Sequence, residues 1–230
     1  METTSLNDKH ATKDYIVFFD LDKTLSHSIS GRALAAAAVR KGLLSNWKLL
    51  NAAVLSIVFR LRIRDQLKII DEMVSWVEGI PENSIEDLCI EVFNEILFPS
   101  IYKDAKSEIE LHKSKNAKVV ILSSALTSIC RQMAEYLYID DIICSGLEVK
   151  NGYMTGRPLG HLCFGEEKAI RLKRYCEIFK FSPSEAWYYG DSISDLHALS
   201  IVGNPVCVNP DKKLKKTAKI RGWKVVSWNA

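Results

Sequence analysis

Two short acidic motifs dominate the chemistry this chain could perform. One is Asp20-Leu21-Asp22-Lys23-Thr24, and the other is Gly190-Asp191-Ser192-Ile193-Ser194-Asp195. Each follows directly on an apolar run rich in β-branched and aromatic residues, 15–19 in the first case and 186–189 in the second. A third such run, 118–122, is followed by Ser123 and Ser124. Taken singly, Asp20 reads as a carboxylate at a strand end and Asp191 as the cap of the next helix. Taken together, the motifs bring four carboxylates and a hydroxyl to the ends of buried strands. In an open parallel sheet, the carboxyl ends of the strands form the rim where ligands bind. Carboxylates gathered there would repel one another strongly. A divalent cation relieves that repulsion, and a hard, all-oxygen donor set points to Mg2+.

The elements that must position these residues follow from the hydrophobic pattern. The run 15–19 is continuous enough for a strand buried on both faces. From about Gly31 to Leu97 apolar residues recur at helical spacing, as in Leu67, Ile70, Met73, Val74 and Val77, and Gly79, Pro81 and Pro99 punctuate the stretch. Beyond Pro99 helices and strands alternate. Helices are predicted over 105–115, 126–138, 166–179, 193–201 and 212–221, and strands over 118–122, 142–144, 186–189, 205–208 and 224–226. The dipeptide Asn151-Gly152 predicts a hairpin turn between 147–149 and 153–155. This alternation predicts an α/β fold, a Rossmann-like parallel sheet covered on both faces, with an inserted all-helical lobe. The expected division is a core of 1–28 with 98–230 and a helical cap of 29–97.

Composition sets the outer bounds. The chain has 230 residues, 47% of them hydrophobic and 26% charged, which suits a soluble globular protein and excludes disorder, collagen and a disulfide miniprotein. Lys plus Arg is 31 against 28 for Asp plus Glu, a net charge of +3, too even for the dense basic face that nucleic acid requires. The lysines at 212, 213, 215, 216 and 219 lack interleaved aromatics and read as a solvated helix face, so no nucleic-acid partner is expected. Six cysteines, with no C-x-x-C pair, read as reduced thiols. The first 14 residues are polar and carry no apolar signal-peptide core. The longest apolar stretch, 49–59, is interrupted by Asn51 and Ser56 and falls short of the roughly 20 residues of a membrane span. The expected address is cytoplasmic.

In order along the chain, Asp20-Leu21-Asp22-Lys23-Thr24, Ser123, Lys168 and Gly190-Asp191 with Asp195 resemble the four motifs of the haloacid dehalogenase superfamily. The resemblance runs from about Tyr15 to the C-terminus. The helical stretch is similar to the cap of the phosphoserine-phosphatase-like branch, subclass IB. The segments Gly160-His161-Leu162-Cys163-Phe164-Gly165-Glu166 and Val206-Cys207-Val208-Asn209-Pro210-Asp211 resemble a group within that branch known mainly as uncharacterised hydrolases. The resemblance implies Asp20 as the nucleophile that forms an aspartyl-phosphate, and Asp22 as the acid and base. It implies Mg2+ held by the Asp20 and Asp191 carboxylates and the Asp22 backbone carbonyl, with Asp195 as ligand or support. Ser123 and nearby backbone N–H groups, with Ser124, would hold phosphoryl oxygens. Lys168 would neutralise charge, although Lys113, Lys115 and Lys118 also flank the second strand. Thr24 would hold the motif loop by hydrogen bonds. The decisive expectation is that the side chains at 20, 22 and 191 gather at one rim of the sheet.

A dehalogenase needs no acid two residues after its nucleophile, because halide leaves without a proton, so Asp22 favours phosphate esters. The expected activity is Mg2+-dependent hydrolysis of a small phosphorylated metabolite. In phosphoserine phosphatases a cap glutamate and a cap arginine bind the substrate, and the corresponding positions fall near Ile29 and Met73, which disfavours phosphoserine. Arg32, His27 and Arg157 are polar candidates for substrate contact, Arg32 first. An alternative comes from residues 49–59 leading into Arg60-Leu61-Arg62-Ile63-Arg64, whose composition suits an anionic membrane surface and a phosphatidylglycerophosphatase-like enzyme. A cap helix with outward-snorkelling arginines is the favoured reading of that segment. A module that binds a phosphorylated ligand without turnover is the alternative of another class, and the intact acids count against it. The sequence carries no signal for an oligomeric state.

Overall fold

The computed structural model describes residues 13–45, 47, 50, 72 and 74–229. Its strands, in chain order, are β1 (Tyr15–Phe19), β2 (Ala117–Leu126), β3 (Asp141–Ser145), β4 (Leu147–Lys150), β5 (Tyr153–Pro158), β6 (Trp187–Gly190), β7 (Asn204–Val208) and β8 (Lys224–Val226). Six of them form one sheet in the order β3-β2-β1-β6-β7-β8, with every neighbouring pair parallel. The apolar run of β1 is explained by this central place, since Ile16, Val17, Phe18 and Phe19 are at most 1% exposed. β4 and β5 make a separate antiparallel hairpin. Its turn residues Asn151 and Gly152 both have positive φ, 52° and 80°, as a tight two-residue hairpin turn requires.

The α-helices with described bounds are α1 (Ser30–Arg40), α2 (Glu82–Val92), α3 (Lys103–Ser114), α4 (Thr127–Leu137), α5 (Glu166–Phe179), α6 (Leu196–Leu199) and α7 (Lys212–Arg221). Alternation along β1 sends its side chains to two cores. Val17 and Phe19 join Leu34, Leu88, Val92, Ile109 and Met133 on one face. Ile16 and Phe18 join Leu172, Cys176, Leu199 and Leu214 on the other. Among the described residues, the stretch predicted as a helical lobe carries α1, a 3-10 turn at Ser75–Val77 and α2. Its buried residues Leu34, Ala37, Val77 and Leu88 belong to the same apolar cluster as the sheet, so its described part shares the core of the α/β layers. The run 49–59, the arginines at 60, 62 and 64, and Leu67, Ile70 and Met73 lie outside the described residues.

Two elements differ from expectation. β2 runs on through Ser123 and Ser124 to Leu126, and its register with β3 shifts between Leu122 and Leu126. The helix expected over 193–201 is a 3-10 turn, Ile193–Asp195, followed by the four residues of α6. The Asp195 carboxylate bonds back to the Ser192 N–H at 3.2 Å and also reaches into the interior, which tightens the first turn. All six cysteines are free thiols, as predicted. Among the described residues, no helix is long and apolar enough to cross a membrane.

Candidate active site

The chain leaves β1 for β2 and β3 on one side and returns to build β6, β7 and β8 on the other. The crevice at the carboxyl ends of β1 and β6 is therefore the topological switch point, the usual ligand site of such sheets. Phe19 lies level with Tyr189, and the Asp20 N–H donates to the Tyr189 carbonyl at 2.9 Å, which sets Asp20 beside the Gly190-Asp191 turn. Gly190 has to be glycine. A Cβ there would lie 2.9 Å from both Cβ and Cγ of Asp195 and 2.8 Å from Cε1 of Tyr188.

Around this turn the structure gathers one cation and three carboxylates. Lys168 sits in the first turn of α5, begun by Gly165 at φ 59°, and is 2% exposed. Its amine donates to Asp20 Oδ1 at 2.8 Å, to Asp195 Oδ1 at 2.6 Å and to the Tyr188 hydroxyl at 3.1 Å, so all three N–H bonds have acceptors. The Tyr188 hydroxyl in turn donates to Asp195 Oδ1 at 2.8 Å. One carboxylate oxygen from each of Asp20, Asp191 and Asp195 lies within 4.8 Å of the others. These residues are 6%, 8% and 0% exposed.

Charge in this pocket is poorly compensated. Burial, opposed by Lys168 and reinforced by Asp195, pushes Asp20 up to about 6. Its pairing with Lys168 does not reverse the shift because burial is the larger effect. Burial, then Asp195 and Asp20, push Asp191 up to about 8. Burial alone would lower Lys168, but Asp195 and Asp20 hold it well above the ordinary lysine value. A hard divalent cation fits this donor set, being all oxygen, buried and short of positive charge. Asp195 Oδ1 is already taken by Lys168 and Tyr188, and Oδ2 faces the N–H and hydroxyl of Ser192. Among the described residues no donor reaches the Asp191 side chain. Asp20 and Asp191 thus offer the open oxygens, and Asp195 anchors the lysine.

Asp22 corrects the decisive expectation in part. Its carboxylate does not join the trio formed by Asp20, Asp191 and Asp195. Instead Oδ1 accepts from the Ser30 N–H at 2.8 Å and Oδ2 from the Ser30 hydroxyl at 2.9 Å. The N-terminus of α1 offers exactly such free N–H groups and a favourable dipole for a carboxylate. Burial raises Asp22 above its ordinary value, with the two Ser30 bonds opposing.

The remaining candidates divide. Ser123 is fully buried at the interruption of the β2–β3 ladder, its hydroxyl accepting from the Ala125 N–H at 3.3 Å. Ser124 is exposed beside it. Arg32, His27 and Arg157 are exposed, and none bonds to the carboxylate cluster among the described residues. Thr24 does not hold the loop as expected, since its hydroxyl is buried without a hydrogen-bond partner. The loop is closed by its backbone, with the N–H groups of Thr24, Leu25 and Ser26 all on the Leu21 carbonyl.

Comparison with known proteins gives the family and the fold. The family model described as haloacid dehalogenase-like hydrolase matches residues 17–200. The chain belongs to the haloacid dehalogenase-like hydrolases. A probable phosphatase of Mycobacterium tuberculosis (strain H37Rv) is 28% identical over 215 residues, 92% of this chain and 75% of the relative. A histidinol-phosphatase of Neisseria meningitidis serogroup C is 28% identical over 225 residues, 93% of this chain and 98% of the relative. A solved phospho-aspartyl intermediate analogue of phosphoserine phosphatase has a TM-score of 0.70 and 17% identity, covering 93% of this chain and 92% of that one, a likeness of fold.

Within this haloacid dehalogenase-like hydrolase, sequence reasoning assigned no role to Ser30 or Tyr188. Ser30 opens α1, a position where serine is a familiar helix-start signal, but nothing local says that it faces Asp22. Tyr188 reads as one more apolar strand residue. Removing its hydroxyl in Tyr188→Phe leaves a buried Lys168 N–H without an acceptor, at a cost of about 1–3 kcal/mol. The melting temperature should fall by roughly 2–12 °C for a chain of this size. An unchanged melting curve would show that the hydroxyl contributes nothing to the cluster.

Proposed function

We propose that this chain is a Mg2+-dependent phosphomonoester hydrolase that works through an aspartyl-phosphate on Asp20 and acts on a small phosphorylated metabolite. The observation that carries this reading is the Lys168 amine, 2.8 Å from Asp20 Oδ1 and 2.6 Å from Asp195 Oδ1, beside the open carboxylate of Asp191. Asp20 and Asp191 would hold the metal, with the Asp22 backbone carbonyl as the third protein ligand. When bound, Mg2+ supplies charge compensation to the phosphoryl oxygens.

The rest is the work of side chains. The Asp20 carboxylate attacks phosphorus, the bond from phosphorus to the ester oxygen breaks, and the leaving alcohol takes its proton from Asp22. Burial, which favours the protonated form of Asp22, and the two bonds from Ser30, which fix its orientation, support that role. In the second half, water attacks the phosphorus of the aspartyl-phosphate and gives its proton to Asp22. The bond to Asp20 breaks, orthophosphate leaves and both carboxyl groups are restored. Lys168 compensates charge on Asp20 throughout, and Ser123 with its neighbouring N–H groups receives phosphoryl oxygens.

A relative named histidinol-phosphatase supports a small phosphate monoester as the substrate class. Ile29, next to the first residue of α1, offers no charge to a substrate ammonium, which supports an ester other than phosphoserine. The test is turnover of a generic aryl phosphate, then of a panel of phosphorylated metabolites and lipid phosphates. Chelation should lower the aryl phosphate rate by at least about 100-fold, and added Mg2+ should restore it. No turnover with Mg2+ would leave only the ligand-binding module, and rates indifferent to chelation would remove the metal from the reading.

A further inference from the structure

The segment Asn209-Pro210-Asp211 does no chemistry in the mechanism above, yet it is bonded to the turn that carries Asp191. The Asp211 N–H donates to the Asp191 carbonyl at 2.8 Å, and Asp211 Oδ2 accepts from the Ile193 N–H at 2.9 Å. One residue thus brackets Ser192 from both sides and fixes the peptide units flanking it. Asp211 is itself held firmly. Its Oδ1 accepts from the N–H groups of Lys213 and Leu214, both at 2.8 Å, as the N-cap of α7, and Leu214 is fully buried. Just before it, Asn209 takes a left-handed φ of 40° and pairs with the Trp228 main chain in both directions, at 3.0 and 3.1 Å. The Asn209 N–H also donates to the Val226 carbonyl at 2.9 Å. The Asp191 turn is therefore braced by α7 and by the chain after β8.

We infer that Asp211 is a positioning residue for the metal site, holding the Asp191 carboxylate in the one orientation that lets it bind Mg2+ together with Asp20. This rests on the Mg2+ site proposed above and adds a residue outside the four motifs that define it. Asp211 touches neither metal nor substrate. Its two carboxylate oxygens do separate jobs, one capping α7 and one tying Ile193, and that separation makes the idea testable.

Asparagine and serine cap helices about as well as aspartate, but neither offers a second acceptor oxygen. In Asp211→Asn and Asp211→Ser the cap can therefore persist while the tie to Ile193 is lost. The experiment is calorimetric titration of the metal-free full chain with MgCl2, alongside its melting temperature. The expected result is a Mg2+ affinity weaker by about tenfold in both variants, equivalent to about 1.4 kcal/mol, with melting within a few degrees of wild type. Wild-type affinity in either folded variant would overturn the inference and leave the metal site standing. Lower melting with unchanged affinity would also overturn it, reducing Asp211 to a helix cap. A wild-type chain that takes up no Mg2+, like the expected Asp191→Asn control, would overturn this inference and the metal site together.

Discussion

Replacing Asp20 with asparagine should abolish turnover of an aryl phosphate, by at least about 10⁴-fold, while leaving the fold intact. The amide cannot attack phosphorus, yet it has nearly the shape of the carboxylate, and its oxygen can still accept from Lys168. The stability readout should move the other way. Asp20 is pushed up to about 6 because burial, with Asp195 nearby, disfavours its charge more than Lys168 restores it. A neutral residue in that place relieves the cost of ionising it at neutral pH. Metal-free Asp20→Asn should therefore melt at or above the wild-type temperature. Activity assays and calorimetry on the same preparation check both halves. Retained turnover would remove Asp20 as the nucleophile, whereas a large loss of melting temperature would mean that its charge is needed to hold Lys168.

Lys168→Met should have the opposite profile, with both activity and stability lost. Among the described residues, the lysine is the single cation bonded to a cluster in which Asp20 and Asp195 are almost wholly buried. Taking one partner from a buried ion pair costs about 3–5 kcal/mol, because the remaining charge stays in the interior unpaired. In a chain of this size that corresponds to a melting temperature lower by roughly 6–20 °C. Methionine keeps much of the buried stem's volume, so the loss reports charge more than packing. Turnover should fall by about 100- to 1000-fold, the range seen when one stabilising donor is removed from a reacting centre. Mg2+ should raise the melting temperature of the variant, since a ligand that binds only the folded state stabilises it by mass action. Near-wild-type values in both assays would show that the three carboxylates are compensated by some other means.

The parts of this site that could be read from the sequence share one property, that the signal is local. The runs before Asp20 and Asp191 are apolar enough to be buried parallel strands, and a buried parallel strand that ends in aspartate announces a rim. Lys168 was legible only through its place in a motif series, because nothing local separates a buried lysine from Lys113, Lys115 or Lys118. Its burial comes from partners far away in sequence, Asp20, Tyr188 and Asp195. Tyr188 and Tyr189 illustrate a second limit. Adjacent strand residues face opposite sides, and only the finished sheet decides which hydroxyl meets Asp195 and which meets His112 and Glu108. The expected helix at 193–201 failed for the same reason, since the pull on Asp195 from Lys168 is a contact across many residues. Thr24 was assigned a bond by analogy that its buried, unpartnered hydroxyl does not make.

The central position of β1 also governs when the site can come into being. The strand precedes its neighbours by a long stretch of chain, since they begin at Ala117 on one edge and Trp187 on the other, and Lys168 must be in hand as well. Such long-range pairing makes the folding of this core slow relative to helices of local contact. A nascent chain that stops short of Asp191 holds Asp20 without that fellow carboxylate, and one that stops short of residue 168 lacks the lysine as well. The cluster therefore assembles only once residues 20, 168, 191 and 195 are all present, and no fragment that ends before Asp195 can complete it.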